Sequence, residues 1–174
     1  MSVIAIDVDG VNLMEIWLQW YNRDWRDSLT QDDITEWNIE NCVKKNCGKE
    51  IFDYLKDPHI YKLIEPYDGA IDFVTKLKSH KHKIFFVTSS TPEHMGHKYQ
   101  WLKKLGLVHT TDEYVEAADK SLIYADFLVD DYIKNISDFR GIGILFTQPW
   151  NKNIDWKPRA SSYEEVIEYI EGGK

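Results

Sequence analysis

Four short apolar runs stand out along the chain, and each ends on polar groups. Val3 to Ile6 is unbroken and closes on Asp7-Val8-Asp9-Gly10. Lys83 to Val87 ends at Thr88-Ser89-Ser90, Phe127 to Val129 at Asp130-Asp131, and Ile142 to Phe146 at Thr147. Runs of this length suit strands buried on both faces, whose carboxyl ends deliver polar side chains to a cleft. Between them apolar positions recur at helical spacing: Ile71, Val74 and Leu77, then Tyr99, Leu102 and Leu105, then Val166, Ile167 and Ile170. Strands alternating with helices predict an α/β fold, a parallel sheet covered by helices on both faces. Ligands of such sheets bind beyond the carboxyl ends of the strands.

The stretch from about Leu13 to Tyr67 breaks that rhythm. Met14 to Arg26 is amphipathic, Thr30 followed by Asp33 resembles the cap of a second helix, and Gly48 to Lys56 reads as a third. The expectation is a small helical cap, residues 13–67, inserted after the first strand of a catalytic core formed by residues 1–12 and 68–174. A chain of 174 residues is long enough for one core with such a lid and too short for two ordinary domains.

Composition narrows the partners. The formal net charge of −8 argues against a surface that tracks a nucleic acid polymer, since such binding neutralises many phosphates with Lys and Arg. A small anionic substrate is still allowed, because a bound cation reverses the local field. No apolar run approaches a membrane span, and Met1 leads directly into the first strand with no leader-like pattern. A cytoplasmic protein without a membrane partner is expected, and a homodimer is compatible with the sequence. Cys42 and Cys47 lack the second Cys or His pair that would complete a zinc site, and read as reduced structural thiols. His80-Lys81-His82-Lys83 reads as a solvated turn, and most of the tryptophans as core fillers.

The candidate chemistry lies at the strand ends. Asp7 and Asp9, one residue apart, repel each other unless a cation or a reaction accounts for them. Calcium loops and surface turns also carry Asp-x-Asp-Gly, but no Glu closes a calcium loop at the required later position here. Asp130-Asp131 forms a second acidic pair, which alone would read as a turn or a helix cap. Oxygen ligands drawn from two acidic strand ends suit Mg2+. The hydroxyls and N–H groups of Thr88-Ser89 can start a helix or hold phosphate oxygens. Lys120 taken singly reads as a solvated surface lysine.

The order of these motifs resembles the haloacid dehalogenase superfamily: Asp-x-Asp-Gly-Val after a first strand, hydroxyls after a second, a lysine, then two acids after another strand. Within it, Asp119-Lys120-Ser121 running through Ala125-Asp126-Phe127-Leu128-Val129-Asp130-Asp131 is similar to 5'(3')-deoxyribonucleotidases. So are Lys98-Tyr99-Gln100-Trp101, Ile34-Thr35-Glu36-Trp37-Asn38-Ile39 and Pro66-Tyr67-Asp68-Gly69-Ala70. The family places a small helical cap where residues 13–67 lie. Two positions depart from the animal members: Glu15 stands where they carry an aromatic ring near the base, and no Pro directly follows Thr88-Ser89.

The resemblance implies a phosphatase acting on nucleoside monophosphates through an aspartyl phosphate on Asp7, with Asp9 as proton donor and later acceptor. It implies Mg2+ held by Asp7, by the Asp9 backbone carbonyl, and by one or both of Asp130 and Asp131. Thr88, Ser89, Lys98 and Lys120 would bind phosphoryl oxygens, and Trp37 would stack on the base. A phosphatase for other small metabolites and a nucleic-acid 3'-end phosphatase are the alternatives on this fold, and a catalytically idle binding module is the alternative outside enzymes. Net acidity weighs against the second of these, and the presence of both Asp7 and Asp9 against the third.

Overall fold

The computed structural model describes residues 1–8 and 13–172. Six strands form one sheet: β1 (Val3–Asp7), β2 (Lys83–Thr88), β3 (Tyr114–Glu116), β4 (Phe127–Asp130), β5 (Ile142–Phe146) and β6 (Arg159–Ala160). Their order is β3-β2-β1-β4-β5-β6, and every pairing is parallel. Ile4 of β1 sits opposite Ile84 on one side and Phe127 on the other.

Side chains alternate along a strand, so each apolar run supplies two faces. Ile4, Ile6, Ile84, Phe86, Phe127, Val129 and Ile144 pack on one face with three helices, α2 (Ala70–Ser79), α3 (Pro92–Lys104) and α5 (Tyr163–Gly172). Phe73 and Leu77, Trp101 and Leu102, and Val166 and Ile170 are the buried sides of those helices. Ala5, Phe85, Val87, Leu128 and Leu145 face the opposite way, onto Ile136 of the short α4 (Ile133–Ser137) and onto Phe139. The α/β arrangement expected from the runs is therefore present, with the second face covered more thinly than the first. β3 and β6 were not expected. They are three and two residues long and carry no apolar run that would mark them.

The stretch after β1 has a cluster of its own. In α1 (Leu13–Trp25), Trp17, Leu18 and Tyr21 fall on one side at helical spacing and are buried with Ile34, Ile39, Val43, Cys47 and Ile51. Trp17 Nε1 donates to the Ile51 carbonyl at 2.6 Å, and the Tyr21 hydroxyl donates to Asp27 Oδ2 at 2.6 Å while accepting from the Lys44 N–H at 2.9 Å. Beyond α1 the two expected helices take the 3₁₀ form, at Gln31–Asp33 and Gly48–Lys56, and further 3₁₀ turns lie at Ile39–Asn41 and Pro58–Lys62. Polar side chains take up the backbone groups between these turns. Asp33 Oδ2 accepts from both the N–H and the hydroxyl of Thr30, each at 2.7 Å, and Asn22 bonds both the N–H and the carbonyl of Leu29. Side chains that satisfy the backbone locally in this way compete with a continued helix.

Ile60, Tyr61 and Ile64 join the main cluster on the sheet rather than the one around α1. Both cysteines are free thiols. His80, Lys81 and Lys83 are exposed, as expected of a solvated turn, and His82 is the exception. The His82 side chain is 8% exposed, its Nδ1 accepts from the Ser2 N–H at 3.2 Å, and its Nε2 lies 3.8 Å from the Glu171 carboxylate. Among the described residues, no helix is long and apolar enough to cross a membrane.

Candidate active site

Parallel pairing brings the ends of β2, β1 and β4 out on one edge, with Asp7 between Thr88 and Asp130. Sequence order reverses at β1 and β4, with β2 and β3 to one side and β5 and β6 to the other. A crevice opens beyond strand ends at such a reversal.

Lys120 enters this crevice from the loop between β3 and β4. Its single 3₁₀ turn, Lys120–Leu122, is capped by Asp119, whose carboxylate accepts from the Ser121 N–H at 3.0 Å. The Lys120 ammonium is 3% exposed and donates to Asp7 Oδ1 and, at 2.7 Å, to Asp130 Oδ2. The surface reading of this lysine is thereby corrected. Burial alone would lower its pKa, but the charges of Asp7 and Asp130 outweigh burial and raise it, so the group is a fixed cation.

Asp130 has its Oδ1 on the Tyr132 N–H at 2.8 Å and its Oδ2 on Asn135 Nδ2 at 3.0 Å as well as on Lys120. Burial first, and then the Asp7 charge, push its carboxyl up to about 6 against the pull of Lys120. Asp131 is buried beside it, and its carbonyl accepts from Asn151 Nδ2 at 2.9 Å. One carboxylate oxygen from each of Asp7, Asp130 and Asp131 lies within 4.8 Å of the others. These three carboxylates and one ammonium leave a net negative charge, and the ligand atoms are all oxygen. That donor set fits a hard divalent cation such as Mg2+.

A second cation stands at the end of β2. Lys98, 3% exposed on α3, donates to Thr88 Oγ1 at 2.7 Å and to the Ser89 carbonyl at 3.3 Å. Trp37, 48% exposed, lies over the start of α4 with its ring stacked on Tyr132 at a centroid distance of 3.9 Å and an interplanar angle of 17°. Trp37, Trp17, Phe52 and Trp150 line a cavity of about 240 Å³ that also touches Glu36 and Asp131. Asp9 lies outside the described residues.

Asp7, Asp130, Asp131 and Lys120 are thus brought into one cluster, Thr88 and Lys98 into a pair on the adjoining strand end, and Trp37 to a cavity that reaches Asp131. Sequence reasoning missed Tyr132, Asn135 and Asn151. Asn135 bonds Asp130, which lies ahead of α4, so no helical spacing could have signalled the contact. Asn151 had no signal either, because its contact to the Asp131 carbonyl spans twenty residues and a strand.

The sheet order and the strand ends define an α/β fold of the haloacid dehalogenase type. Solved structures agree on the fold. A hydrolase of that family from Deinococcus radiodurans, crystallised with phosphate and sodium, superposes with a TM-score of 0.63 at 10% identity, covering 97% of this chain and 94% of that one. One from Entamoeba histolytica reaches 0.58 at 15% identity, covering 98% and 99%. The family model described as "5' nucleotidase, deoxy (Pyrimidine), cytosolic type C protein" matches residues 1–173, and the chain belongs to that family of phosphoric monoester hydrolases. It is 30% identical to the 5'(3')-deoxyribonucleotidase of Clostridium acetobutylicum over 168 residues, covering 94% of this chain and 91% of that protein. It is also 30% identical to the 5'(3')-deoxyribonucleotidase of Bacillus subtilis over 169 residues, covering 95% and 96%.

Proposed function

We propose that the protein is a Mg2+-dependent, cytoplasmic phosphatase of deoxyribonucleoside monophosphates, with residues 13–67 acting as a cap over a core of residues 1–12 and 68–174. The observation that carries this reading is the juxtaposition of a buried Asp7–Lys120–Asp130 triad with a cavity walled by aromatic rings. Such a cavity matches a flat nucleobase better than a sugar.

In this scheme an Asp7 carboxylate oxygen attacks phosphorus, the bond from phosphorus to the sugar oxygen breaks, and Asp9 protonates the departing oxygen. Water then cleaves the aspartyl phosphate, giving up its proton to Asp9. Lys120 holds Asp7 in place and opposes charge on the phosphoryl group, while Thr88, Ser89 and Lys98 bind its remaining oxygens. A divalent ion held by Asp7, Asp130 and Asp131, together with the Asp9 carbonyl, would reduce the repulsion between an anionic nucleophile and a dianionic phosphate.

The test is a panel of phosphate monoesters assayed with and without Mg2+. A ribose 2'-hydroxyl pressed against an apolar wall loses water without gaining a partner, at a cost of about 1 to 3 kcal/mol. The kcat/KM for dUMP should therefore exceed that for UMP by roughly ten- to a hundredfold. A ratio near one, or faster hydrolysis of simple sugar phosphates than of any nucleotide, would assign the protein to general metabolite phosphatases instead.

A further inference from the structure

Among the described residues, one face of the Trp37 ring meets another ring in a full stack. Its ring lies nearly parallel to that of Tyr132 at 3.9 Å. Trp37 lines the aromatic cavity next to Asp131, whereas Tyr132 does not. The phenol therefore backs the indole from outside the cavity.

The two rings come from different parts of the chain. Trp37 sits in the connection between the 3₁₀ turns Gln31–Asp33 and Ile39–Asn41, a stretch with no long helix to fix its direction. Tyr132 directly follows the acid pair and is tied to it, since its N–H donates to Asp130 Oδ1 at 2.8 Å. A half-exposed indole on such a stretch would be free to turn, and a ligand would have to order it on binding. A ring already stacked behind it removes most of that cost.

We propose that Tyr132 is a positioning and selectivity residue: it holds the Trp37 ring in register with the acidic cluster, so that the free face of the indole is presented at a fixed distance from the reacting phosphate. The proposal rests on the assignment of the cavity to the nucleoside. Substrates with a base to stack gain from the held ring, and substrates without one do not. Tyr132 acts through Trp37, and its bond to Asp130 is made by the backbone N–H, which substitution leaves in place.

Steady-state constants for dUMP and for p-nitrophenyl phosphate, measured on the whole protein with Mg2+, test this in four variants. Tyr132→Ala should raise KM for dUMP about three- to tenfold, more than it changes kcat, and should lower the ratio of dUMP to aryl phosphate kcat/KM by a similar factor. Tyr132→Phe, which keeps the ring, should restore both. Trp37→Ala should lower the same ratio, and Trp37→Ala with Tyr132→Ala should be no worse than Trp37→Ala alone, as expected when one residue acts through another.

Additive losses in the double variant would overturn the proposal. So would a Phe variant as impaired as Ala, an equal fall in kcat on both substrates, or a KM for dUMP that does not move. Faster dUMP turnover in Tyr132→Ala would also overturn it, by showing that the stack is a barrier the substrate must open. Should Tyr132→Ala fail to fold, Tyr132→Leu keeps the bulk without the aromatic face and carries the same expectations. A wild-type protein that hydrolyses the aryl phosphate but has no preference for dUMP would instead defeat the nucleotidase reading, an outcome already visible before any variant is made.

Discussion

At the scale of single residues, Lys120 and Asp7 are joined across more than a hundred positions of sequence by one buried ion pair. An amide cannot attack phosphorus as a carboxylate does, so Asp7→Asn should abolish turnover and leave the fold intact; more than a few per cent of wild-type activity would contradict the assigned nucleophile. Lys120→Met removes the cation proposed to oppose phosphoryl charge and should lower kcat by about 10²- to 10³-fold, read in the same assay. Excess chelator should stop hydrolysis, and Ca2+ should restore it poorly, because its larger and looser shell misplaces the nucleophile. Undiminished rates in chelator would exclude a metal-dependent scheme. Much of this cluster was legible in the sequence because charged groups at the ends of apolar strands have few explanations. Lys120 was legible only through its order among the other motifs, since nothing local distinguishes a buried lysine from a solvated one. Tyr132 was not legible, because a tyrosine after an acid pair carries no sign of which ring will meet it.

Secondary-structure elements show a different balance of what could be read. β1, β2, β4 and β5 followed directly from unbroken apolar runs, because burial on both faces demands them. The short edge strands did not, since two or three residues of extended chain leave no period to detect, and Gly48–Lys56 was legible as a helix but not as a 3₁₀ one. Glu113, in the 3₁₀ turn Thr111–Glu113 just ahead of β3, shows how such a short element is held. Its Oε2 accepts from the His109 N–H at 2.6 Å and the Thr110 N–H at 3.3 Å, and its Oε1 from Lys78 of α2 at 2.9 Å. Burial would raise this carboxyl, but these bonds outweigh burial and hold it below the ordinary range. With the native pKa below the unfolded one, its contribution is whole above the unfolded value of about 4.3 and is lost as pH falls through the native value. Glu113→Gln should therefore destabilise by about 1 kcal/mol near neutral pH, and the gap between variant and wild type in urea melts should close in acid. A gap independent of pH would point to packing alone. At Gly141, ahead of β5, a Cβ would lie 2.5 Å from the Ala125 carbonyl oxygen and 2.6 Å from that of Asp126. These are backbone atoms that cannot swing aside, so Gly141→Ala should cost about 1 to 3 kcal/mol and lower Tm by several degrees.

Across the whole molecule, the clusters are completed by residues from distant parts of the chain. Trp150, from the loop after β5, packs against the cluster formed by α1 and the 3₁₀ turns. β1, the first strand of the chain, is flanked by β2 on one side and β4 on the other. During synthesis on a ribosome, the apolar strand that ends on Asp7 therefore emerges long before either neighbour, and its second neighbour appears only with Phe127. A nascent chain arrested before that point has an open sheet edge, and one arrested before Trp150 has an unfinished cluster around α1. Non-local strand pairing of this kind closes late, and until it does the exposed edge is a template for mispairing. Arrested chains ending before residue 127 should be cut readily by protease, and resistance should rise only once the chain extends past residue 150 and clears the exit tunnel. The aspartate at the end of β1 thus meets Lys120, Asp130 and Asp131 only after more than a hundred further residues have emerged.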